Sequence, residues 1–370
     1  MRSTGGERRL LIRDLAQLAT PAGTAAPLRG RALGQVDVLE DAYVLCAGTS
    51  IEAVGRMRDL SRLEGEVDEL DGRGLCAIPG LVDCHTHACF AGDRVEEFAL
   101  RAGGASYEEL HAAGGGIMST VRATRAAGAE ALAEAVRRHR GWMLRAGTTT
   151  FESKSGYGLD RETELASLRA VKGADGVPTW LGAHAVPPEF GDADAYLDFA
   201  LAEVLPAAAE IAEAADVFLE RGARSVDHLE ATGHEGVTAL GNSNVAAVLL
   251  PASALFLARP MPPARALVDA GAIVALATDF NPGSAFCESL PLTCSLAATQ
   301  LRLSPAEALA ACTVNAAHVL GRADSRGRLA PGYAADVVLL DVPDWRYLAY
   351  HLGANLVAGV VLHGERAELG

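Results

Sequence analysis

Two histidines spaced one residue apart are the first residues in this chain that suggest chemistry. The apolar run Ala77-Ile78-Pro79-Gly80-Leu81-Val82 leads through Asp83-Cys84 into His85-Thr86-His87. On a β-strand, residues i and i+2 point to the same side, so His85 and His87 project together from a strand end. Paired neutral imidazoles suit a divalent metal, for which the ring nitrogen is a good borderline ligand. A bare His-x-His is more often two core or surface histidines. Here the pair ends an apolar strand and is followed by the polar turn Gly92-Asp93-Arg94, which favours the metal reading.

Further polar residues stand at or near the ends of other apolar segments: Glu152, His184, His228 and Asp279. In a (β/α)8 barrel the active site lies at the strand C-termini. One strand-end histidine says little. Six polar residues, the His85 and His87 pair included, point to one shared mouth.

The elements that must position them alternate apolar strands with Ala-rich helices, the pattern of parallel βα units. Strands are predicted at 77–85, 147–152, 179–185, 215–218, 225–229, 245–250 and 272–278, and helices at about 125–145, 161–173, 194–214 and 304–320. The last helix opens on Ser304-Pro305-Ala306-Glu307, an N-cap, a Pro at N1 and a capping-box Glu, and Gly321 ends it. Short strand-like runs near the start (Leu10-Leu11-Ile12, Ala42–Leu45, Ser50–Val54) are matched near the end by Ala335–Asp341, Val357–Leu362 and His363-Gly364-Glu365. The expected fold is α/β: a TIM-like (β/α)8-type barrel, complete or one strand short, with a small β-sandwich domain built from both termini. Residues 1–76 and 328–370 would form the small domain and 77–327 the barrel.

The alternative of a missing strand follows from arithmetic. Only Leu219-Glu220-Arg221-Gly222-Ala223-Arg224 separates the strands at 215–218 and 225–229. Parallel neighbours need a crossover of about ten to twelve residues, usually containing a helix. Either one of the two strands lies outside the barrel or a helix–strand–helix piece is absent here.

Bulk composition narrows the function. The formal net charge is −15, with 32 Lys and Arg against 47 Asp and Glu, which argues against nucleic acid because phosphate binding needs a basic face. The lysines are Lys154 and Lys172 alone, so Arg carries nearly all the cationic chemistry. The seven cysteines form no C-x-x-C pair and read as free thiols of a reducing cytoplasm. No run reaches the ~18 apolar residues of a membrane span, and residues 1–9 precede no export-type apolar segment. The expectation is a cytoplasmic enzyme with a small-molecule substrate.

At this point a family resemblance emerges. The stretches Pro79–His87, Phe90-Ala91-Gly92-Asp93-Arg94, Gly114-Gly115-Gly116-Ile117, Thr120–Arg125, Glu152–Leu159, Gly182–Glu189, Ser225–Glu230, Ala277–Ser284 and Gly332–Asp336 together resemble the imidazolonepropionases, amidohydrolases of histidine degradation. Lys154-Ser155-Gly156-Tyr157-Gly158 and Asn281-Pro282-Gly283 are the more specific of these; His-x-His and the closing strand Asp are shared across the superfamily. The resemblance implies that His85, His87 and Asp279 bind one divalent metal, zinc or iron. It implies that Arg94, Tyr157 and His184 bind the substrate, and that Asn281, Gly283 and Ser284 line the product side. His228 and Asp279 would act in catalysis, and enzymes of this architecture are often homodimers. The family also carries a strand with a further metal-binding His between the segments matching 215–218 and 225–229, and nothing here matches it. The alternatives are another cyclic amidohydrolase or a deaminase of the superfamily, or an inactive shortened member.

Overall fold

The structure, a computed structural model, describes residues 8–105, 115–216 and 223–369. Gly114 and residues 217–222, including part of the expected strand at 215–218 and most of the short connection, lie outside that range.

Five strands come first: β1 (Arg9–Pro21), β2 (Val36–Ala47), β3 (Ser50–Arg56), β4 (Asp68–Asp71) and β5 (Cys76–Pro79). The barrel strands follow as β6 (Leu81–Asp83), β7 (Thr148–Lys154), β8 (Val177–Trp180), β9 (Ala214–Ala215), β10 (Ser225–Asp227), β11 (Ala246–Leu249) and β12 (Ile273–Leu276). The chain closes with β13 (Val337–Leu340), β14 (Val357–Leu362) and β15 (Glu365–Arg366).

Strands from both ends join in one eight-stranded mixed sheet, ordered β15-β14-β13-β5-β1-β2-β3 with β4 also on β1. The strands expected as a sandwich thus lie in a single sheet. Its core gathers Ile12, Leu15, Leu18, Val44, Ile51, Val337, Leu339 and Val361, drawn from opposite ends of the sequence. The apolar run expected as one strand over 77–85 is divided between two sheets. Cys76–Pro79 pairs with β13, whereas Leu81–Asp83 pairs with β7. Gly80 is the hinge, because a Cβ there would lie 2.1 Å from the Thr149 hydroxyl oxygen.

The barrel strands fall into two parallel runs, β6-β7-β8-β9 and β10-β11-β12. Beyond the strand ends the runs meet: Thr86 and Phe280 form a parallel bridge, Asp279 N–H donates to the His85 carbonyl (3.0 Å) and His87 N–H to the Phe280 carbonyl (2.9 Å). On the other side, among the described residues, β9 and β10 do not pair. Among the described residues the two runs are thus joined on one side alone.

Alternation along the strands sorts two apolar layers. Ala247, Leu249, Val274 and Leu276 pack in one, with helical Leu267, Leu290 and Leu309. Val82, Ala246, Val248, Ile273 and Ala275 pack in the other, with Ala316, Ala317 and Val319.

The helices differ from expectation in their ends. The 125–145 helix starts earlier and runs Ile117–Arg145, broken at Gly128. The 161–173 helix is observed as Arg161–Gly173. The 194–214 helix consists of Ala193–Phe199, a widened turn over 200–204, and Leu205–Ala208. The 304–320 helix splits into Pro305–Ala311 and Val314–Val319, and Ser304 and Glu307 form the capping box. No helix of the described residues is long and apolar enough to cross a membrane.

Candidate active site

His85 and His87 are held by backbone and carboxylate contacts on both sides. Thr86 donates its N–H to Glu152 Oε2 (3.0 Å) and its hydroxyl to the Glu152 carbonyl (2.6 Å). Its neighbours face the other way and bond the 279–280 backbone, as the pleat requires. Glu152, singled out as a strand-end polar residue, is thus occupied: Oε2 serves Thr86 and Oε1 takes the Lys154 ammonium (3.0 Å).

The two rings converge on one oxygen. His85 Nε2 lies 3.5 Å and His87 Nε2 3.6 Å from Asp279 Oδ1. Ligand atoms around a tetrahedral ion with bonds of ~2.0–2.1 Å are about 3.3 Å apart, so each histidine–Asp279 pair stands near ligand spacing. His85 Nε2 is buried without a hydrogen-bond partner, as a ligand atom would be. The other ring nitrogen, His85 Nδ1, bonds Asp227 Oδ2 (2.7 Å), which fixes the tautomer that leaves Nε2 free to ligate.

Charge agrees with this reading. Burial and the Lys154 cation oppose protonation of His85, but Asp227 and Asp279 outweigh them and carry it up to about 10. A site that draws a proton onto a buried imidazole is a site for a cation, and a bound metal would take the proton's place. Burial alone would raise Asp279; the close approach and charge of His85, then of His87 and His228, hold it well below the usual carboxylate range.

The expected substrate residues divide into those facing this centre and those holding its loops. The Tyr157 and His184 rings lie 5.4 Å apart, and each packs against His87, at 5.8 and 5.4 Å. His184 stands in the loop after β8, since that strand ends at Trp180 instead of 185. Asn281 Oδ1 accepts the N–H groups of Gly283 and Ser284 (2.8 Å each), and its amide donates to the Asp279 carbonyl (2.6 Å) and Ser284 Oγ (2.7 Å). Ser284 Oγ in turn reaches Asp279 Oδ2 at 3.3 Å. The Asn281 side chain therefore braces the Asp279 turn.

Gly283 has its own reason: a Cβ there would lie 2.1 Å from Arg94 Nη1, so glycine admits the guanidinium to this loop. Arg94 Nε bonds Glu97 Oε2 (2.9 Å), Nη2 bonds Glu97 Oε1, and the same carboxylate accepts the Gly116 N–H (2.7 Å). Arg94 is thus placed beside the mouth with its fork engaged by Glu97.

His228 is set differently. It follows β10 with φ +72°, and Leu229 follows with φ +71°, two successive left-handed residues without glycine's freedom. Its ring centroid is 5.7 Å from that of His85 and its Nδ1 is 3.4 Å from Glu230 Oε1. Ligating atoms of His85, His228 and Asp279 lie within 4.8 Å of one another. The side chain is 47% exposed, against 4% for His85. An open cavity beside it is lined by His228, Glu230, Ser253, Leu257 and Arg259.

Sequence reasoning passed over three residues. Asp227 orients His85, and its signal was its place just before a strand-end His. Lys154 Nζ links Glu152 to Asp216 (3.3 Å). Glu164 holds the Tyr157 turn from a helix, with no spacing that would have revealed it.

A strand-end His-x-His and Asp on a parallel barrel define a metal-dependent hydrolase class, and known proteins agree. A profile of the Amidohydrolase family matches residues 76–366, so the chain belongs to that family. Among solved structures, a triazine hydrolase variant shares the fold at TM-score 0.74 and 20% identity, covering 97% of this chain and 94% of its own. So does the guanine deaminase of E. coli, at TM-score 0.66 and 14% identity, with 97% and 99% covered.

Within the family the chain belongs with the imidazolonepropionases. It is 55% identical to that of Rubrobacter xylanophilus, over 96% of this chain and 97% of the relative. It is 39% identical to that of Geobacillus kaustophilus, with 97% of each covered. The Rubrobacter alignment runs over 406 residues yet takes in 96% of a 370-residue chain, so about 50 of its positions have no counterpart here. That is the size of a helix–strand–helix piece.

Proposed function

We propose that the chain hydrolyses 4-imidazolone-5-propanoate to N-formimidoyl-L-glutamate, using one divalent metal, zinc or iron, held by His85, His87 and Asp279. The observation that carries this reading is the convergence of two histidine Nε2 atoms on Asp279 Oδ1 beside the Tyr157–His184 pair. When bound, the ion would activate water and polarise the ring carbonyl.

The residues of the chain supply the rest. Asp279 accepts a proton from the attacking water and returns it to the ring nitrogen as the amide C–N bond breaks, leaving a new carboxylate. His184 and His228 donate to the ring oxygen as charge develops there. Arg94, forked and permanently charged, leaves Glu97 in part to take the propionate, which an acidic protein otherwise repels. Asn281, Gly283 and Ser284 line the product side through the Asp279 turn they brace.

Residues 77–327 act as the catalytic domain, and 1–76 with 328–370 as its composite β partner. The seven free thiols support a cytoplasmic site of action, and a homodimer is the assembly to look for by light scattering. The decisive experiment is turnover of 4-imidazolone-5-propanoate by the purified chain, with zinc supplied and with a chelator. Chelator-sensitive turnover supports the proposal. A folded, zinc-loaded chain without turnover makes it a shortened family member that is not an enzyme.

A further inference from the structure

The loop that carries Tyr157 is organised by one buried carboxylate. Glu164 lies on the helix Arg161–Gly173 and is fully buried. Its Oε1 accepts the N–H groups of Gly156 (3.0 Å), Gly158 (2.8 Å) and Leu159 (2.9 Å), and Oε2 accepts Gly156 again at 3.1 Å. The Ser155 hydroxyl oxygen beside them accepts the Leu181 N–H at 3.2 Å. Successive N–H groups converging on one anion form a nest, a geometry the backbone keeps only while the anion is there.

The turn is otherwise unfavourable. Gly156 has φ +99° and Leu159 φ +55°. A Cβ at Gly156 would lie 2.6 Å from the Leu181 carbonyl and 3.0 Å from His184 Nδ1. The Gly156 carbonyl also pairs with His184 Nδ1 at 3.0 Å, so the same turn sets the second ring. Burial pushes the Glu164 carboxyl upward, and the ring of N–H donors opposes that shift.

We propose that Glu164 is a positioning residue for substrate binding, anchoring the 156–159 turn so that Tyr157 and His184 present themselves together beside His87. This rests on the reading that Tyr157 contacts the substrate. Glu164 itself touches neither substrate nor metal.

The test is a double-mutant cycle read by calorimetric binding of 3-(imidazol-4-yl)propanoate, a stable analogue lacking the ring carbonyl, to the full zinc-loaded chain. Tyr157→Phe and Glu164→Gln are each expected to weaken binding about tenfold, with zinc content unchanged. In the Glu164→Gln background, Tyr157→Phe should cost less than about threefold, because the ring is already displaced. Wild-type affinity in Glu164→Gln, or a Tyr157→Phe cost that is the same in both backgrounds, overturns the proposal. If Tyr157→Phe alone binds like the parent, or the parent does not bind, the substrate reading fails first and separately. Should Glu164→Gln not fold, Glu164→Asp carries the same cycle by drawing the carboxylate back from the Gly156, Gly158 and Leu159 N–H groups. There the Tyr157→Phe cost should still shrink, and an unchanged cost overturns the proposal.

Discussion

The two flanks of the barrel mouth are built to different standards. On the flank of β6, β7 and β8, each chemical side chain is fixed by backbone or by a buried carboxylate: Thr86 by Glu152, Tyr157 through Glu164, His184 by the Gly156 carbonyl. On the flank of β10, Ser225–Asp227 is a three-residue strand at an open edge, and His228 is half exposed on two strained residues. The first flank is pre-organised by parallel ladders. The second joins it through the backbone bonds of Asp279 and His87, and at β10 itself through the Asp227–His85 side-chain bond. Among the described residues β10 has a strand on one side only, and on the other an ion pair does the work of alignment.

The sharpest way to test that contrast is to delete one histidine from each flank. His85→Ala should abolish zinc retention and lower turnover by at least about a thousandfold, since metal chemistry supplies several kcal/mol at the transition state. His228→Ala should retain zinc and lose about a hundredfold. Metal analysis and kinetics on the same preparations decide it. Equal zinc loss in both would mean that the exposed flank is as much a part of the metal centre as the buried one.

Lys154 tests the seam between the flanks. Its ammonium is buried among Glu152, Asp216 and the charge of Asp227, which together hold it far above the usual lysine range despite burial. Lys154→Met leaves those carboxylates without their cation, and about 3–5 kcal/mol of stability should go with it. Urea unfolding followed by fluorescence measures the loss. A cost under about 1 kcal/mol would show that the seam is solvated and needs no pin.

Much of this arrangement was legible in the sequence, for physical reasons that also mark where legibility ends. His85, His87 and Asp279 were readable because strand period and apolar runs place residues at strand ends locally. The capping box at Ser304 and Glu307 was readable for the same reason. The shortness of the connection after residue 218 was readable from loop length, but whether the strands on either side of it pair was not. The division of 77–85 at Gly80 was not, since an apolar run does not record which sheet each half joins. Nor was the contact of Asp227, because that carboxylate's partner is set by tertiary placement and lies 142 positions away.

Asp227 carries the next smaller effect. As the partner of a ligating ring it should be worth roughly 10–100-fold in metal affinity, the usual range for such hydrogen bonds. Asp227→Asn, titrated with zinc against a competing chelator, should show that loss while the fold survives. A chimera with a helix–strand–helix segment inserted between residues 219 and 224 should reduce the penalty, because a strand paired on the free side of β10 would then hold the flank by its backbone. An unchanged penalty would place the burden on Asp227 alone.

The smallest effect belongs to the rear of the ordered flank. His139 lies in the helix Ile117–Arg145, pairs with the Ala88 carbonyl at 2.7 Å, and stacks on Phe90. Burial, with a smaller push from Arg138, lowers its basicity below the ordinary value of 6.5. The unfolded chain therefore takes up this proton first as pH falls, so the contribution of neutral His139 is whole above about 6.5 and is lost below it. Melting temperatures between pH 7 and pH 5 should drop more steeply for the parent than for His139→Gln, whose amide can still pair with the carbonyl. His87 and His184 are shifted the same way and remain in both proteins, so the difference in slope isolates His139. Parallel slopes would mean that the ordered flank admits a charge behind His87 without cost, and its rigidity would then have to come from the Glu152 and Glu164 contacts alone.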